Sequence, residues 1–504
     1  MTLLSTRDPR REPVPTTTRR FLWLLCLAVV LVRATFVPRP LRNDEGGYLL
    51  IARQWHSGGE FLYGDYFVDR PPLLLLIFRT AALTDWDQAI RVLAIPFVLL
   101  FVLAGWRAGR LLAGETGGRW AAVVAAGVMC SPGLAADQAD GELFGAAFVM
   151  VSVALALSAW HATSRTSLLW WTAAAGAVAA AAPLVKQNLV EGLLFLAGLI
   201  VFGYWGRDEE ARRRAAGMAP MAVAGALLPA VAVALWLSAA TTEPSGAWRD
   251  LVGFRGAALE AIWSTSADAS LTRWALLLLL GVLTGVVLVA IAWFACARHC
   301  LPDRAPERRT ITVLLIFGLA AITAGGSYWP PYLLQLAPAT VLAAAAIAPA
   351  AAWMRAAGRV VVSAAAVTTI AAVVVHASVP EVWYSQRIGE WLADAKTPGD
   401  TAFVAYGHAG VLETADLPSP YPHLWSVPMR TFDPEQDRLR DTLAGPRAPA
   451  WIVQVNGLNS WGIDDGSRLR TLLHDRYRVV VEICGQPVWL RQDVTRALPP
   501  PPPC

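Results

Sequence analysis

Charge is what this sequence has least of: Asp, Glu, Lys and Arg make up 16% of its 504 residues, against 56% hydrophobic. Soluble domains carry roughly a quarter charged residues. A wholly soluble globular fold is therefore excluded and an integral membrane protein expected; the mean hydropathy of +0.46 agrees. No concentrated basic patch accompanies the net charge of +4 and the pI near 8.8, which sets nucleic acid aside as a partner. The six cysteines form no Cys-x-x-Cys pair and no Cys/His cluster, and neither a zinc signature nor a P-loop is present. Cys26, Cys130 and Cys296 lie in apolar runs, as small buried hydrophobes do. Only Cys484 and Cys504 could share an oxidising space, and a disulfide between them is open but not the expectation. No Ser/His/Asp pattern emerges; His408 and His423 are expected as surface or internally satisfied histidines.

What the chain has instead is a succession of apolar runs. "RDPRREPVPTTTRR" precedes "FLWLLCLAVVLVRATFVP" with no A-x-A cleavage site after it, so the pair reads as a signal anchor. Further runs centre near residues 99, 126, 151, 177, 197, 227, 285, 317, 342 and 368, for about eleven spans in all. The loops "RTSLLW", "GRDEEARRRAAG", "ARHCLPDRAPERR" and "MRAAGR" carry Arg. They alternate with loops holding Asp44/Glu45, Asp137 to Glu142, Lys186-Gln187-Asn188, residues 239–272 and "GGSYWPPY". The positive-inside rule puts the first set and the N-terminus in the cytoplasm and the second set outside. "PPLLLLIFRTAAL" is too short to span and contains an Arg, so a re-entrant or interfacial juxtamembrane helix is expected in the first outer loop.

Past residue 380 the pattern changes. "EVWYSQRIGEWLADAKTPGDTAFVAYGHAG" reads as an amphipathic helix, a turn and a short strand. "PAWIVQVN" and "YRVVVEICGQPVWLR" read as strands, with "GSRLRTLLHD" a helix between them. The expected organisation is a cytoplasmic basic tail at 1–19, a polytopic α-helical membrane domain at 20–380, an extracytoplasmic α/β domain at 381–496 and a disordered Pro-rich tail at 497–504.

The polar residues of the outer loops are the chemical candidates. Asp44 and Glu45 open a helix on which Tyr48, Ile51, Ala52 and Trp55 share one face, with Arg53 and His56 towards another, the pattern of an interfacial helix with an aromatic anchor. The two acids either cap that helix or supply a general base. Arg70, held before Pro71-Pro72, either snorkels or grips a lipid phosphate in bidentate fashion. In "DQADGELF", Asp137, Asp140 and Glu142 either form a solvated, capping loop or furnish a functional acid, with Glu142 nearest the apolar run. Lys186 either snorkels or neutralises a phosphate or carboxylate, with Glu191 near the same edge. Tyr328, Trp329 and Tyr332 suit an interfacial belt or a stack against sugar rings, and Gln335 stands one turn into the next span, where it can hydrogen-bond a ligand.

Together, "RNDEGGYLLIARQ", "YGDYFVDRPPLLLL", "ADGELFGAAFV", "LVKQ" and "YWPPYLLQLAP" resemble the GT-C glycosyltransferases, in the branch of bacterial aminoarabinose transferases and protein O-mannosyltransferases. The resemblance covers the membrane part of the chain. It implies an enzyme of the cell membrane that passes a sugar from a polyprenyl-phosphate donor to a glycan, lipid or protein acceptor outside the cytoplasm, with inversion. On that pattern Asp44 looks like the catalytic base, with Glu45 supporting it or contacting the acceptor. Arg70, standing where the family often has Lys, and Lys186 look like donor-phosphate contacts. Glu142, or else Asp140, is similar to the second acidic position, and Tyr328, Trp329, Tyr332 and Gln335 are expected at the substrate. No metal ligand is assigned; a divalent Mg or Mn stays open, because family members differ in that requirement as they do in sugar and acceptor. The alternatives are a non-enzymatic polyprenyl-lipid flippase or transporter, against which stand the absence of an internal repeat and of paired broken helices, and a cell-envelope scaffold.

Overall fold

The computed structural model describes residues 14–240, 244–349, 366–376, 378, 384–464 and 466–504. The tail before residue 14 and the "MRAAGR" loop, both assigned to the cytoplasm by charge, lie outside the described residues. In chain order the first helices are α1 (Thr16–Phe36), α2 (Asn43–Arg53), α3 (Pro72–Ala81), α4 (Ala89–Met129), α5 (Gly141–Trp160), α6 (Arg165–Ala181), α7 (Glu191–Tyr204) and α8 (Glu209–Ala240). There follow α9 (Pro244–Trp248), α10 (Phe254–Leu283), α11 (Val286–Cys300), α12 (Ala305–Ala324), α13 (Ala337–Ile347) and α14 (Ala366–His376). The C-terminal part contains α15 (Tyr384–Ala395), β1 (Ala402–Val404), α16 (Gly410–Ala415), α17 (Ser426–Phe432), α18 (Asp437–Ala444), β2 (Trp451–Val453), α19 (Arg468–Arg476), β3 (Tyr477–Ile483) and β4 (Gln486–Arg491).

Among the described residues five helices are long and apolar enough to cross a membrane: Ala89–Met129, Gly141–Trp160, Glu209–Ala240, Gly246–Leu283 and Pro330–Ile347. Shorter apolar helices accompany them, among them α3. Pro72 stands at the start of α3, where its missing N–H costs no hydrogen bond. Ten residues make a rod of about 15 Å, half the roughly 30 Å of a bilayer core. The sequence near residue 285, read as one span, is instead two helices: α10 ends at Leu283 and α11 begins at Val286. The turn between them is made by Gly285 at φ 80°, a left-handed conformation that hydropathy does not register.

Two compact units form, and neither is continuous in sequence. The first comprises Met1–Val37, Arg91–Ala234 and Thr272–Val379. Within it α5, apolar on every side, is buried along most of its length. By contrast α8 leaves Val223, Leu227, Leu228 and Val231 exposed, an apolar face that no other described residue covers, as lipid contact requires.

The second unit comprises Pro38–Ile90, Leu235–Leu271 and Pro380–Cys504. The boundary expected near residue 380 is thus one edge of a unit whose other pieces come earlier in the chain. Its sheet, among the described residues, runs β1-β2-β4-β3: β1 and β2 are parallel, the remaining pairs antiparallel. Ile452 of β2 stands opposite Phe403 on one side and Trp489 on the other. With Tyr421, Leu439, Leu469 and Tyr477 these form the core. The amphipathic α15 buries Ile388, Trp391 and Leu392.

Two expectations about the C-terminus are overturned. Cys484, in the β3–β4 turn, is joined to Cys504 by a disulfide that spans 20 residues. The Pro-rich tail is tied to the domain by that bond and by the Trp391 indole, which donates to the Pro499 carbonyl at 3.1 Å; Arg496, just before the tail, is paired with Asp400. Composition points to disorder because prolines donate no backbone hydrogen bonds; a side-chain donor and a covalent link hold this segment instead.

Candidate functional site

In the second unit the sequence Asn43-Asp44-Glu45-Gly46-Gly47 opens α2. Glu45 acts as the cap, its Oε2 accepting from the Arg42 amide at 2.8 Å, and is fully buried. The neighbouring Asp44 is turned to other partners. The Trp425 indole donates to Asp44 Oδ1 at 3.0 Å, and the Tyr48 hydroxyl donates to Oδ2 at 3.2 Å. Tyr48 in turn accepts from Arg70 Nε at 2.7 Å. Arg70 Nη1 donates to Asp69 Oδ1 at 2.7 Å, and Asp69 Oδ2 receives Arg255 at 2.8 Å. The Arg70 guanidinium also lies 5.5 Å from the centre of the Tyr48 ring. One phenol therefore links the carboxylate of Asp44 to the guanidinium of Arg70.

The two glycines after the acids are there for close approach. A Cβ at Gly46 would stand 2.5 Å from Gly410 Cα, and one at Gly47 would stand 2.4 Å from Cζ2 of Trp425. This corrects the reading of α2 as an interfacial helix. Every residue from Glu45 to Ala52 is buried, because α3 and the C-terminal elements of the same unit cover it. Trp55, expected as the aromatic anchor, lies beyond the end of α2 and packs on Tyr63 and Trp236 at 4.9 and 5.8 Å. Arg53 is likewise held, by Asp87 at 2.8 Å and by the buried Glu413 at 2.7 Å. Burial pushes the Glu413 carboxyl up to about 8 against the pull of Arg53.

In the first unit a different set converges. Asp140 is the N-cap of α5, its Oδ1 accepting from the Leu143 amide at 3.1 Å. Glu142, two residues on, forms a buried ion pair with Lys186. The Lys186 ammonium lies 4.9 Å from the centre of the Tyr332 ring. Gln335 Oε1 accepts from Asn188 Nδ2 at 2.9 Å, and its amide nitrogen donates back to the Asn188 carbonyl at 3.2 Å. Glu142, Lys186 and Tyr332 are thus brought together, with Gln335 tied to the same loop. Asp137 meets His376 at 3.7 Å. Tyr328 and Trp329 are also engaged elsewhere. The Tyr328 hydroxyl donates to the Thr323 carbonyl at 2.9 Å, and Trp329 lies under the Arg273 guanidinium at 4.7 Å.

Of His408 and His423 only His408 is internally satisfied; His423 is buried with its Nδ1 lacking a hydrogen-bond partner among the described residues. His408 is bonded by the Tyr384 and Ser385 hydroxyls, each at 3.0 Å, and burial lowers its pKa. His423 sits among Phe61, Phe67, Tyr421 and Phe432, where burial, and then Arg438, push it down to about 4. Among the described residues no group of three or more His, Cys, Asp or Glu side chains is placed to hold a metal. The residues that sequence reasoning missed are Tyr48 as a bridge, Arg255, Glu413 and Trp425. For Trp425, 381 residues from Asp44, there is no local signal; the adjacent glycines announce only that something approaches closely.

No family model matches the sequence, and neither does any curated protein. Solved structures do match. ArnT from Cupriavidus metallidurans bound to undecaprenyl phosphate superposes with a TM-score of 0.61 at 16% identity, over 94% of this chain and 98% of that one. Its apo state gives 0.58 at 15% identity over the same shares. The oligosaccharyltransferase AglB from Archaeoglobus fulgidus, in complex with an inhibitory peptide and a dolichol-phosphate, gives 0.56 at 11% identity, over 92% of this chain and 73% of that one. Both neighbours are GT-C glycosyltransferases. The chain has their fold.

Proposed function

We propose that the protein is a membrane glycosyltransferase that moves a sugar from a polyprenyl-phosphate donor to an extracytoplasmic acceptor, with Asp44 as general base. The observation that carries this reading is the Asp44–Tyr48–Arg70 chain, which joins a carboxylate to a cation through one hydroxyl. The fold supports it: ArnT binds undecaprenyl phosphate and AglB a dolichol-phosphate. The Cys484–Cys504 disulfide supports an oxidising, extracytoplasmic setting for the second unit.

The chemistry needs one base and one cation. A hydroxyl of the acceptor loses its proton to Asp44 as its oxygen attacks the anomeric carbon. The bond from that carbon to the phosphate oxygen breaks, and polyprenyl phosphate departs with the electron pair. Phosphate is already a good leaving group, so no acid has to protonate it; the Arg70 guanidinium, oriented by Tyr48 and Asp69, stabilises the charge that develops. A single displacement inverts the anomeric centre. Glu45, committed to the helix cap, serves by holding the helix end that carries Asp44.

Within the first unit, Lys186 is the cation that suits a phosphate. Its charge is matched by Glu142, so a phosphate that binds there competes with that carboxylate. Tyr332 and Gln335 provide a ring face and an amide for the sugar, and Tyr328 and Trp329 shape the segment that carries them. A divalent Mg or Mn would require ligands beyond the clusters among the described residues, and no step here depends on one. The test is turnover of radiolabelled polyprenyl-phosphate sugars by protein reconstituted in lipid. Wild type releases polyprenyl phosphate and Asp44→Asn does not. Lipid-phosphate binding without turnover of any donor would instead favour a carrier-binding transporter.

A further inference from the structure

We infer that Trp425 is a positioning residue for Asp44, so that the C-terminal part of the second unit belongs to the catalytic apparatus. The inference rests on Asp44 being the base. Trp425 is the residue before α17, and it meets the start of α2 in three ways. Its indole N–H donates to Asp44 Oδ1 at 3.0 Å. Its ring is tilted 39° on the Tyr48 ring, with centroids 5.5 Å apart, so it also restrains the hydroxyl that serves Oδ2. Its edge lies against Gly47 so closely that a methyl there would overlap Cζ2. Gly410, at the start of α16, abuts Gly46 in the same manner.

These contacts do something a cap alone cannot. A carboxylate on a helix end rotates about χ1 and χ2, and each oxygen has two acceptor sites. Holding one site of Oδ1 with the indole and one of Oδ2 with the phenol fixes the plane of the carboxylate. The other site on each oxygen is left to meet an acceptor hydroxyl, and Asp44 is only half-buried. Both donors are neutral and weakly acidic, so the negative charge is oriented and not cancelled. The indole N–H acts on the reacting geometry and not on donor affinity, because it bonds Asp44, while the hydrogen bonds that fix the cation come from Tyr48 and Asp69.

The test compares full-length wild type, Trp425→Phe, Gly47→Ala and Asp44→Asn in lipid, with Trp391→Phe as a control indole of the same unit. Trp425→Phe keeps the ring and removes only the N–H. It is expected to lower kcat about tenfold with donor KM within twofold of wild type and an unchanged melting temperature. Gly47→Ala, which pushes the ring away, is expected to lower kcat and, because that ring packs on the Tyr48 that holds Arg70, to raise donor KM as well, while Trp391→Phe leaves kcat intact. An inactive Asp44→Asn beside a Trp425→Phe of wild-type kcat overturns the inference and leaves the base standing. A Trp425→Phe that changes KM and melting without changing kcat also overturns it, since that is the mark of a packing residue. A fully active Asp44→Asn overturns the base, and this inference with it.

Discussion

Asp44 and Glu142 occupy the same position, the second residue of α2 and of α5 respectively. In each case a neighbouring acid takes the cap: Glu45 bonds the Arg42 amide, and Asp140 bonds the Leu143 amide. The caps run in opposite senses: in α2 the third helical residue reaches back to the N-cap amide, and in α5 the N-cap side chain reaches forward to the third helical amide. The partners of Asp44 and Glu142 separate them further, all but Tyr48 coming from far along the chain. Asp44 receives two neutral donors, an indole and a phenol, whereas Glu142 receives the ammonium of Lys186. A carboxylate oriented by neutral donors keeps its charge for a substrate proton. One paired with a buried lysine sets that lysine's position, and the pair stands or falls together.

Changing each partner in turn sharpens that contrast. The largest effect is expected at Asp44 itself: Asp44→Asn lowers kcat by about a thousandfold with little change in melting, since Asn keeps an acceptor oxygen for Trp425. Lys186→Met should act chiefly on stability, with donor KM raised as well. It strands Glu142 as a buried carboxylate without its cation, at a cost of about 3–5 kcal/mol in stability. Adding Glu142→Gln to that variant should recover most of the loss, measured by denaturant unfolding in detergent. If Lys186→Met alone is as stable as wild type, the two acids are not different in kind.

A smaller effect belongs to the tail. Cys484→Ser should lower the stability of the second unit by about 3 kcal/mol, and reduction of the wild-type protein should reproduce the loss. The smallest effect is a pH dependence. Glu413, with its pKa raised to about 8, contributes stability at low pH that is lost as pH rises through that value. His423, held down to about 4, contributes stability that is lost as pH falls below its ordinary 6.5. The two slopes oppose each other below 6.5, and only Glu413 acts above it. The melting temperature should therefore fall by a few degrees between pH 6.5 and pH 8, and Glu413→Gln should flatten that fall.

Much of this was legible in the residues, for reasons that are local. Pro71-Pro72 before a short leucine run specifies a helix start, and ten residues cannot span a bilayer. The β-branched and aromatic runs Val479-Val480-Val481 and Val488-Trp489, on either side of Cys484-Gly485, specify the β3–β4 hairpin. Asp44, Arg70, Glu142 and Lys186 stand out because charge is rare in so apolar a chain. What was not legible depends on contacts distant in sequence. The face pattern of α2 suggested an interface because Tyr48, Ile51, Ala52 and Trp55 share one side and Arg53 and His56 lie towards another, but burial on every side comes from α3 and from elements more than 350 residues on. Composition could not show that the prolines near Cys504 are tied to the β3–β4 turn, nor could a hydropathy average show the reversal at Gly285.

The central claim, that Asp44 takes the acceptor proton, is tested most directly by replacing the acceptor with a nucleophile that needs no base. Asp44→Asn should fail to cleave a polyprenyl-phosphate sugar with its ordinary acceptor, then regain cleavage on addition of azide and yield a glycosyl azide of inverted configuration. Wild-type transfer by Asp44→Asn without azide would contradict the account.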